Sequence, residues 1–251
     1  MAPVNAIPSV VNASPGIERM LWLHQVHQLA PSTRDAFEGL VRDEWLPALA
    51  SRPGTRLAWF GTSSRGAVHG DEAIAITAVS DGSALAELGA RIHDGDLTAL
   101  AAALARQRAG VETRLLESLD YDPLKITSVA EIPAEAQQQP GRYYMHDFVP
   151  PALGNMTGYE DMMRERYLAL TEQDRSGVAL RMSWRTIAGG GPVPEMFNLS
   201  EIRSINALER LVAEEIPREY KAMGTWMWTA LAARDRWTTR LVRSATWSPL
   251  Q

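Results

Sequence analysis

The chain has 251 residues, 45% of them hydrophobic, with a formal charge of −5 at pH 7, which is enough apolar material to bury a core in one large domain or two ordinary ones. Acidic and basic residues are interspersed, and without a Lys/Arg block to neutralise phosphates, nucleic acid is excluded as a partner. No cysteine is present, which excludes disulfides, thiolate metal sites and a cysteine nucleophile and fits a reducing compartment; with no signal peptide read in residues 1–16, a cytoplasmic location is expected.

Residues 1–16 lack a basic stretch followed by a long apolar run and read as a flexible arm, not a signal peptide. No apolar run approaches the ~18–20 residues of a membrane helix. Residues 20–29 alternate in character and stop at Ala30-Pro31-Ser32, which predicts a first strand and a break. Ser32 or Thr33 then caps a helix whose apolar positions Phe37, Leu40, Val41, Trp45, Leu46 and Leu49 recur at helical spacing, with Pro47 expected to bend or shorten it. Thr55–Phe60 reads as a second strand, Thr62–Gly70 as a hairpin turn and Ala73–Val79 as a third strand. Ala84–Ala109 is helical with an interruption at His93–Asp96, and Val111–Leu119 is a fourth strand.

Residues 125–141 are polar, without periodicity, and read as a linker. The order then returns. Tyr143–Val149 is a strand, Gly158–Thr171 a helix and Val178–Ile187 a strand. A glycine turn at 189–192 leads to the strand Glu195–Ile202. Ala207–Ala233 is helical with breaks at Pro217 and Gly224, and Trp237–Trp247 closes the set. Side chains repeat as well as elements. Residues 111–124 align without gaps to 237–250 with six identities in fourteen, Trp59 falls opposite Trp184, and Leu21–Val26 falls opposite Tyr143–Phe148, at offsets between 122 and 126. The chain therefore reads as one unit written twice, in residues 17–124 and 142–251.

A β-α-β-β-α-β unit is the ferredoxin-like arrangement, with helices on one face of an antiparallel sheet and the other face bare. The fold class expected is α+β: two tandem ferredoxin-like repeats whose antiparallel sheets pack as an internal α/β barrel. Two independent domains, each pairing with another chain, are the alternative. The order and turns resemble the dimeric α/β-barrel superfamily. Within it, Trp184-Arg185-Thr186, the glycine turn 189–191, Glu195 and Ser204 ahead of a helix resemble the NIPSNAP pattern. That resemblance covers residues 180–211 well and the first half poorly, where Trp59-Phe60-Gly61-Thr62 has no arginine.

On the first strand Trp22, His24 and Val26 share one face, and on its counterpart Tyr144, His146 and Phe148 do. If Leu21, Leu23, Tyr143 and Met145 pack on helices, both histidines face the shared interior. There they form an acid/base pair or orient a polar end of an apolar ligand; the plainer alternative is histidines satisfied within the sheet. His24 leads as the proton-transferring group because Gln25 and His27 keep its neighbourhood polar. Arg114 and Arg240, at equivalent positions, are candidates for an anionic substrate group, and Trp59 and Trp184 complete the expected lining. His24 and His27 point to opposite faces, and the turns His69–Glu72 and His93–Asp96 read as solvated, so no metal site is expected. A nucleophile elbow and a phosphate-binding loop are both missing, so no nucleotide cofactor is expected. Trp226 and Trp228 cannot share one helix face, so one of them contacts something outside its own core.

The superfamily resemblance implies a small-molecule pocket and cofactor-free oxygenation, isomerisation or cyclisation of an apolar, aromatic or polyketide-like substrate. The NIPSNAP resemblance implies a non-catalytic binding or assembly protein, with a homo-oligomer as one outcome. Chlorite-dismutase-like chains also carry two ferredoxin-like units. That likeness implies haem bound through a ligand on a second-unit helix, whereas His146 lies on a strand.

Overall fold

The structure, a computed structural model, describes residues 19–64, 70–172, 177–189, 194–207, 209, 222–234 and 236–251. The expected arm 1–16, His69, most of the glycine turn 189–192 and the middle of the expected helix 207–233, Pro217 included, lie outside those residues.

Eight strands among the described residues form one antiparallel sheet: β1 (Leu21–Leu29), β2 (Thr55–Ser63), β3 (Glu72–Val79), β4 (Arg108–Ser118), β5 (Tyr143–Val149), β6 (Val178–Ala188), β7 (Met196–Ile202) and β8 (Thr238–Ser244). The sheet closes into a barrel in the order β1-β3-β2-β8-β5-β7-β6-β4. Strands β4-β1-β3-β2 are contiguous around the barrel, and so are β8-β5-β7-β6. These runs do not stack face to face as two layers. They join edge to edge, Gly61–Ser63 against Val242–Ser244 and Leu115–Ser118 against Trp184–Ala188, which pairs the sheet edges that two separate layers would leave open. Both junctions close over a glycine. A Cβ on Gly61 would stand 2.7 Å from the Arg243 carbonyl oxygen, and one on Gly189, whose φ is +81°, 2.6 Å from that of Thr113.

Alternation along the strands separates two environments. Trp22, Val26, Trp59, Ile74, Ile76, Leu116, Tyr144, Met182, Trp184, Phe197, Leu199 and Val242 form the barrel's inner core. The opposite face of the first run carries Leu29, Leu57, Phe60, Ala73 and Ala75. It packs under α1 (Arg34–Leu40), α2 (Leu46–Ala50), α3 (Gly82–Asp94) and α4 (Thr98–Arg106) through Phe37, Leu49, Leu88 and Leu104. In the second run Leu180 and Met196 pack under α5 (Met156–Met162), α6 (Leu168–Thr171) and α7 (Trp226–Ala233) through Tyr159, Met162, Met163 and Ala230. The aromatic pair on α7 divides as its spacing requires: Trp226 lies 4.9 Å from the Tyr167 ring, while Trp228 is 49% exposed.

The bend expected from Pro47 takes another form. A π-helical turn, Val41–Trp45, joins α1 to α2 without a break, the Leu46 N–H donating to the Val41 carbonyl, and Pro47 follows in the first turn of α2. A second π-helical turn, Met163–Tyr167, joins α5 to α6 at the equivalent place without a proline. Proline therefore tolerates the distortion and does not cause it.

Residues 125–141, a spacer by composition, are packed. Ser128 and Glu131 form a capping box around the 3-10 turn Val129–Glu131, and Val129 and Ile132 join the barrel's inner core together with Leu124, Ile126 and Leu250. The chain thus closes one end of its own barrel. The tails also cross over: the Leu119 N–H donates to the Ser183 carbonyl on β6, and that of Ala245 to the Phe60 carbonyl on β2.

Candidate functional site

His24 stands at the middle of β1 between Ile76 of β3 and Arg114 of β4. His146 stands at the middle of β5 between Leu199 of β7 and Arg240 of β8. Residues directly opposite on neighbouring strands share a face, so both histidines and both arginines project inward. The two imidazoles are fully buried and meet, Nε2 to Nε2, at 2.9 Å. Their planes are parallel within 3° and their centroids 5.0 Å apart. The centroids exceed the nitrogens in separation by about one ring diameter, so the rings meet tip to tip, not face to face. One Nε2–H donates to the other Nε2, and among the described residues neither Nδ1 has a hydrogen-bond partner.

Burial lowers both imidazoles below the ordinary histidine value, His146 to about 3, and the guanidinium groups of Arg114 and Arg240 push in the same direction. The pair is neutral and shares one N–H between its facing nitrogens. A metal between them would need two bonds of about 2.0–2.1 Å in line, hence roughly 4 Å between nitrogens, which the 2.9 Å spacing does not provide.

Two ion pairs flank the histidines, each crossing from one half to the other. Arg114 donates through Nε to Glu195 at 3.1 Å, and Arg240 through Nε to Glu72 at 3.0 Å. The guanidinium of Arg114 also lies 4.7 Å from the Phe148 ring centre and 5.5 Å from that of Phe197, and Phe197 lies 4.9 Å from His24. Glu72, expected in a solvated turn, opens β3, is 3% exposed and pairs with Arg240; Phe197 stands out in no sequence pattern, and Glu195 enters only through a resemblance. The available signal is arithmetic: Glu72 and Glu195 are offset by 123, within the range of the other repeated positions.

The other expected lining residues fill the interior. Trp22, Trp59, Trp184 and Tyr144 are fully buried; Trp22 lies 5.7 Å from Trp184, and Trp59 meets Tyr144 edge-on at 5.6 Å. Each such aromatic contributes on the order of 2–3 kcal/mol through burial. Trp22 donates through Nε1 to Ser118 at 2.8 Å. An open hollow of about 300 Å³ lies elsewhere, lined by Pro151, Leu153, Met156 and Pro194 at the start of α5, and holds none of the expected site residues.

Polar sequence neighbours do not favour His24 over His146. Gln25 and His27 lie on the outer face of β1, where His27 accepts from Arg108 at 2.7 Å and packs on Phe37 at 4.9 Å. Asp147 likewise lies outside the barrel, accepting from Trp237 and Thr239. Strand alternation separates these groups from the imidazole pair, whose members have closely matched surroundings.

No protein-family model matches the chain, and no curated protein does. Solved structures do. A protein from Lactobacillus acidophilus provisionally assigned as a monooxygenase is 12% identical with a TM-score of 0.55, over 90% of this chain and 94% of that one. An anthrone oxidase-like protein is 11% identical with a TM-score of 0.55, over 91% and 92%. A mutant chlorite dismutase from Candidatus Nitrospira defluvii is 10% identical with a TM-score of 0.53, over 90% and 91%. At these identities the likeness establishes the fold, the ferredoxin-like α/β barrel.

A haem held as the chlorite-dismutase resemblance implies does not fit these residues. His146 is the only histidine of the second half and is paired with His24 inside the barrel. The layer between that half's sheet and helices is packed with Tyr159, Met162, Met163 and Leu180.

Proposed function

We propose that the chain is two tandem ferredoxin-like repeats forming a small-molecule-binding barrel, and that the His24–His146 pair transfers protons on an apolar or aromatic molecule without a cofactor. The observation that carries this reading is the tip-to-tip imidazole pair with both Nδ1 atoms unpartnered among the described residues. Such a pair is a relay. A proton taken up at one Nδ1 is matched by passage of the shared proton between the Nε2 atoms and release from the other Nδ1, so neither ring need carry a lasting charge in a low-dielectric interior. Removal at one substrate position and return at another is isomerisation, and cyclisation uses the same two steps; oxygenation would require O2 as co-substrate. Arg114 and Arg240 favour negative charge developing beside the imidazoles. Substrate enters at the end flanked by the ion pairs, because Val129, Ile132 and Leu250 pack into the opposite end. Phe148, Trp22, Tyr144, Trp59 and Trp184 then yield to it as lining.

A ligand screen by native mass spectrometry against aromatic and polyketide-like compounds tests this, repeated on His24→Ala and His146→Ala. Binding retained in both variants with turnover lost in either supports the relay. Absence of any ligand, with both variants behaving like the parent, removes it.

The second reading is a NIPSNAP-like binding or assembly protein. It is favoured by the filled interior and by the exposed Trp228 and Leu231 on α7, and its local pattern is supported by Thr186, whose hydroxyl donates to the Glu195 carbonyl, and by Ser204, which accepts from the Ala207 N–H.

A further inference from the structure

We infer that the ligand is an organic carboxylate and that Arg240, not Arg114, receives it; this rests on the small-molecule reading above. The two arginines occupy equivalent places, yet their forks are not equally occupied. Arg114 donates through Nε to Glu195 and through NH1 to Glu112, two residues away on the same face of β4. Among the described residues Arg240 donates only through Nε, to Glu72. The residue standing where Glu112 stands, two positions before the arginine, is Thr238, and it offers no carboxylate.

A guanidinium has five N–H donors in a planar fork that matches a carboxylate edge. Only the Nε–H of Arg240 is engaged among the described residues, although its side chain is 14% exposed and its partner Glu72 only 4%. The terminal nitrogens of Arg240 are not among the buried unpartnered polar atoms of the described residues and so stay accessible, whereas Arg114 meets a second carboxylate through NH1. Glu112, 47% exposed, acts as an internal stand-in for a ligand's carboxylate and shows what fits the open edge of the equivalent fork. Arg240 is directly opposite His146 in the β8–β5 register, and its charge is felt by both imidazoles. A carboxylate on its terminal nitrogens places the attached body against His146.

The test is titration calorimetry with an aromatic monocarboxylate, 2-naphthoate, and its neutral amide on the intact chain. Expected are one site for the acid, no measurable binding of the amide, and at least about tenfold weaker acid binding in Arg240→Gln, the scale of one charge-assisted hydrogen bond. Thr238→Glu supplies to Arg240 the carboxylate that Glu112 supplies to Arg114, and is expected to weaken the acid by a similar factor while thermal unfolding confirms that the chain is folded. Glu112→Thr opens the fork of Arg114 and is expected to raise the stoichiometry from one towards two. Equal binding of acid and amide, or an affinity unmoved by Thr238→Glu, overturns the assignment of a carboxylate to Arg240 and leaves the small-molecule reading intact. Failure of acid, amide and every neutral aromatic to bind overturns both.

Discussion

At the scale of single residues, the interior is governed by one shared proton. Among the described residues His24 and His146 satisfy only each other's Nε2, so removing one ring orphans the other in a fully buried place. His24→Ala or His146→Ala is expected to destabilise by about 2–4 kcal/mol, combining the lost hydrogen bond with the void left behind. The double replacement His24→Leu with His146→Leu puts apolar groups on both sides and leaves no polar atom stranded. It is expected to cost at least about 1 kcal/mol less than the sum of the single leucine variants. Urea unfolding of the three leucine variants measures the difference, and strict additivity would refute the pairing.

At the scale of elements, the junctions between the two strand runs are short, and backbones come close there. A Cβ on Gly61 would stand 2.3 Å from Cη2 of Trp59 as well as against the Arg243 carbonyl. Gly61→Ala is therefore expected to destabilise by about 2–3 kcal/mol, because a fully buried indole and a paired strand must both shift. A methyl group on Gly39, inside α1, would meet nothing within 4 Å. Gly39→Ala is expected to stabilise by about 0.5–1 kcal/mol through helix propensity and a less mobile unfolded chain. Paired thermal melts distinguish the two glycines, and a Gly61→Ala variant as stable as the parent would show that the junction is looser than described.

At the scale of the molecule, stability is set by buried groups that titrate in opposite directions. His24, His27 and His146 are held below the ordinary value near 6.5, His27 and His146 at about 3, chiefly by burial. As pH falls below about 6.5 the unfolded chain therefore takes up protons that the native one refuses, and stability drops. Burial raises Asp122 and Asp147 to about 6, against about 3.9 unfolded. Between roughly pH 4 and 6 the native chain thus holds two protons that the unfolded chain has released, which works the other way. Three histidines against two carboxyls leave the unfolded chain ahead by about one proton, so stability is expected to decrease by about 1.4 kcal/mol per pH unit on acidification between pH 6.5 and 5. His27→Gln is expected to flatten that slope nearly to zero without touching the barrel's interior. Denaturant titrations at pH 7, 6 and 5 check both statements; a slope unchanged in His27→Gln would contradict them.

Period-two alternation by itself determined that Trp22, His24 and Val26 share a face, and spacing placed most strands and the helical segments, because both are local consequences of backbone geometry. The repeat offset of 122 to 126 placed residues of the two halves in correspondence. Only the tertiary structure decided how the sheets meet: edge to edge, which depends on register at β2–β8 and β4–β6 and on backbone approach at Gly61 and Gly189, quantities that no local pattern encodes. It also decided which charges belong together. Glu72 and Arg240 are far apart in the chain and on different halves, so their pairing, like the 2.9 Å meeting of His24 with His146, follows from barrel closure and not from any motif. The packing of 125–141 escaped its composition for a related reason: Val129 and Ile132 are isolated apolar residues among polar ones, and what draws them inward is the open barrel end that exists only once the strands have closed.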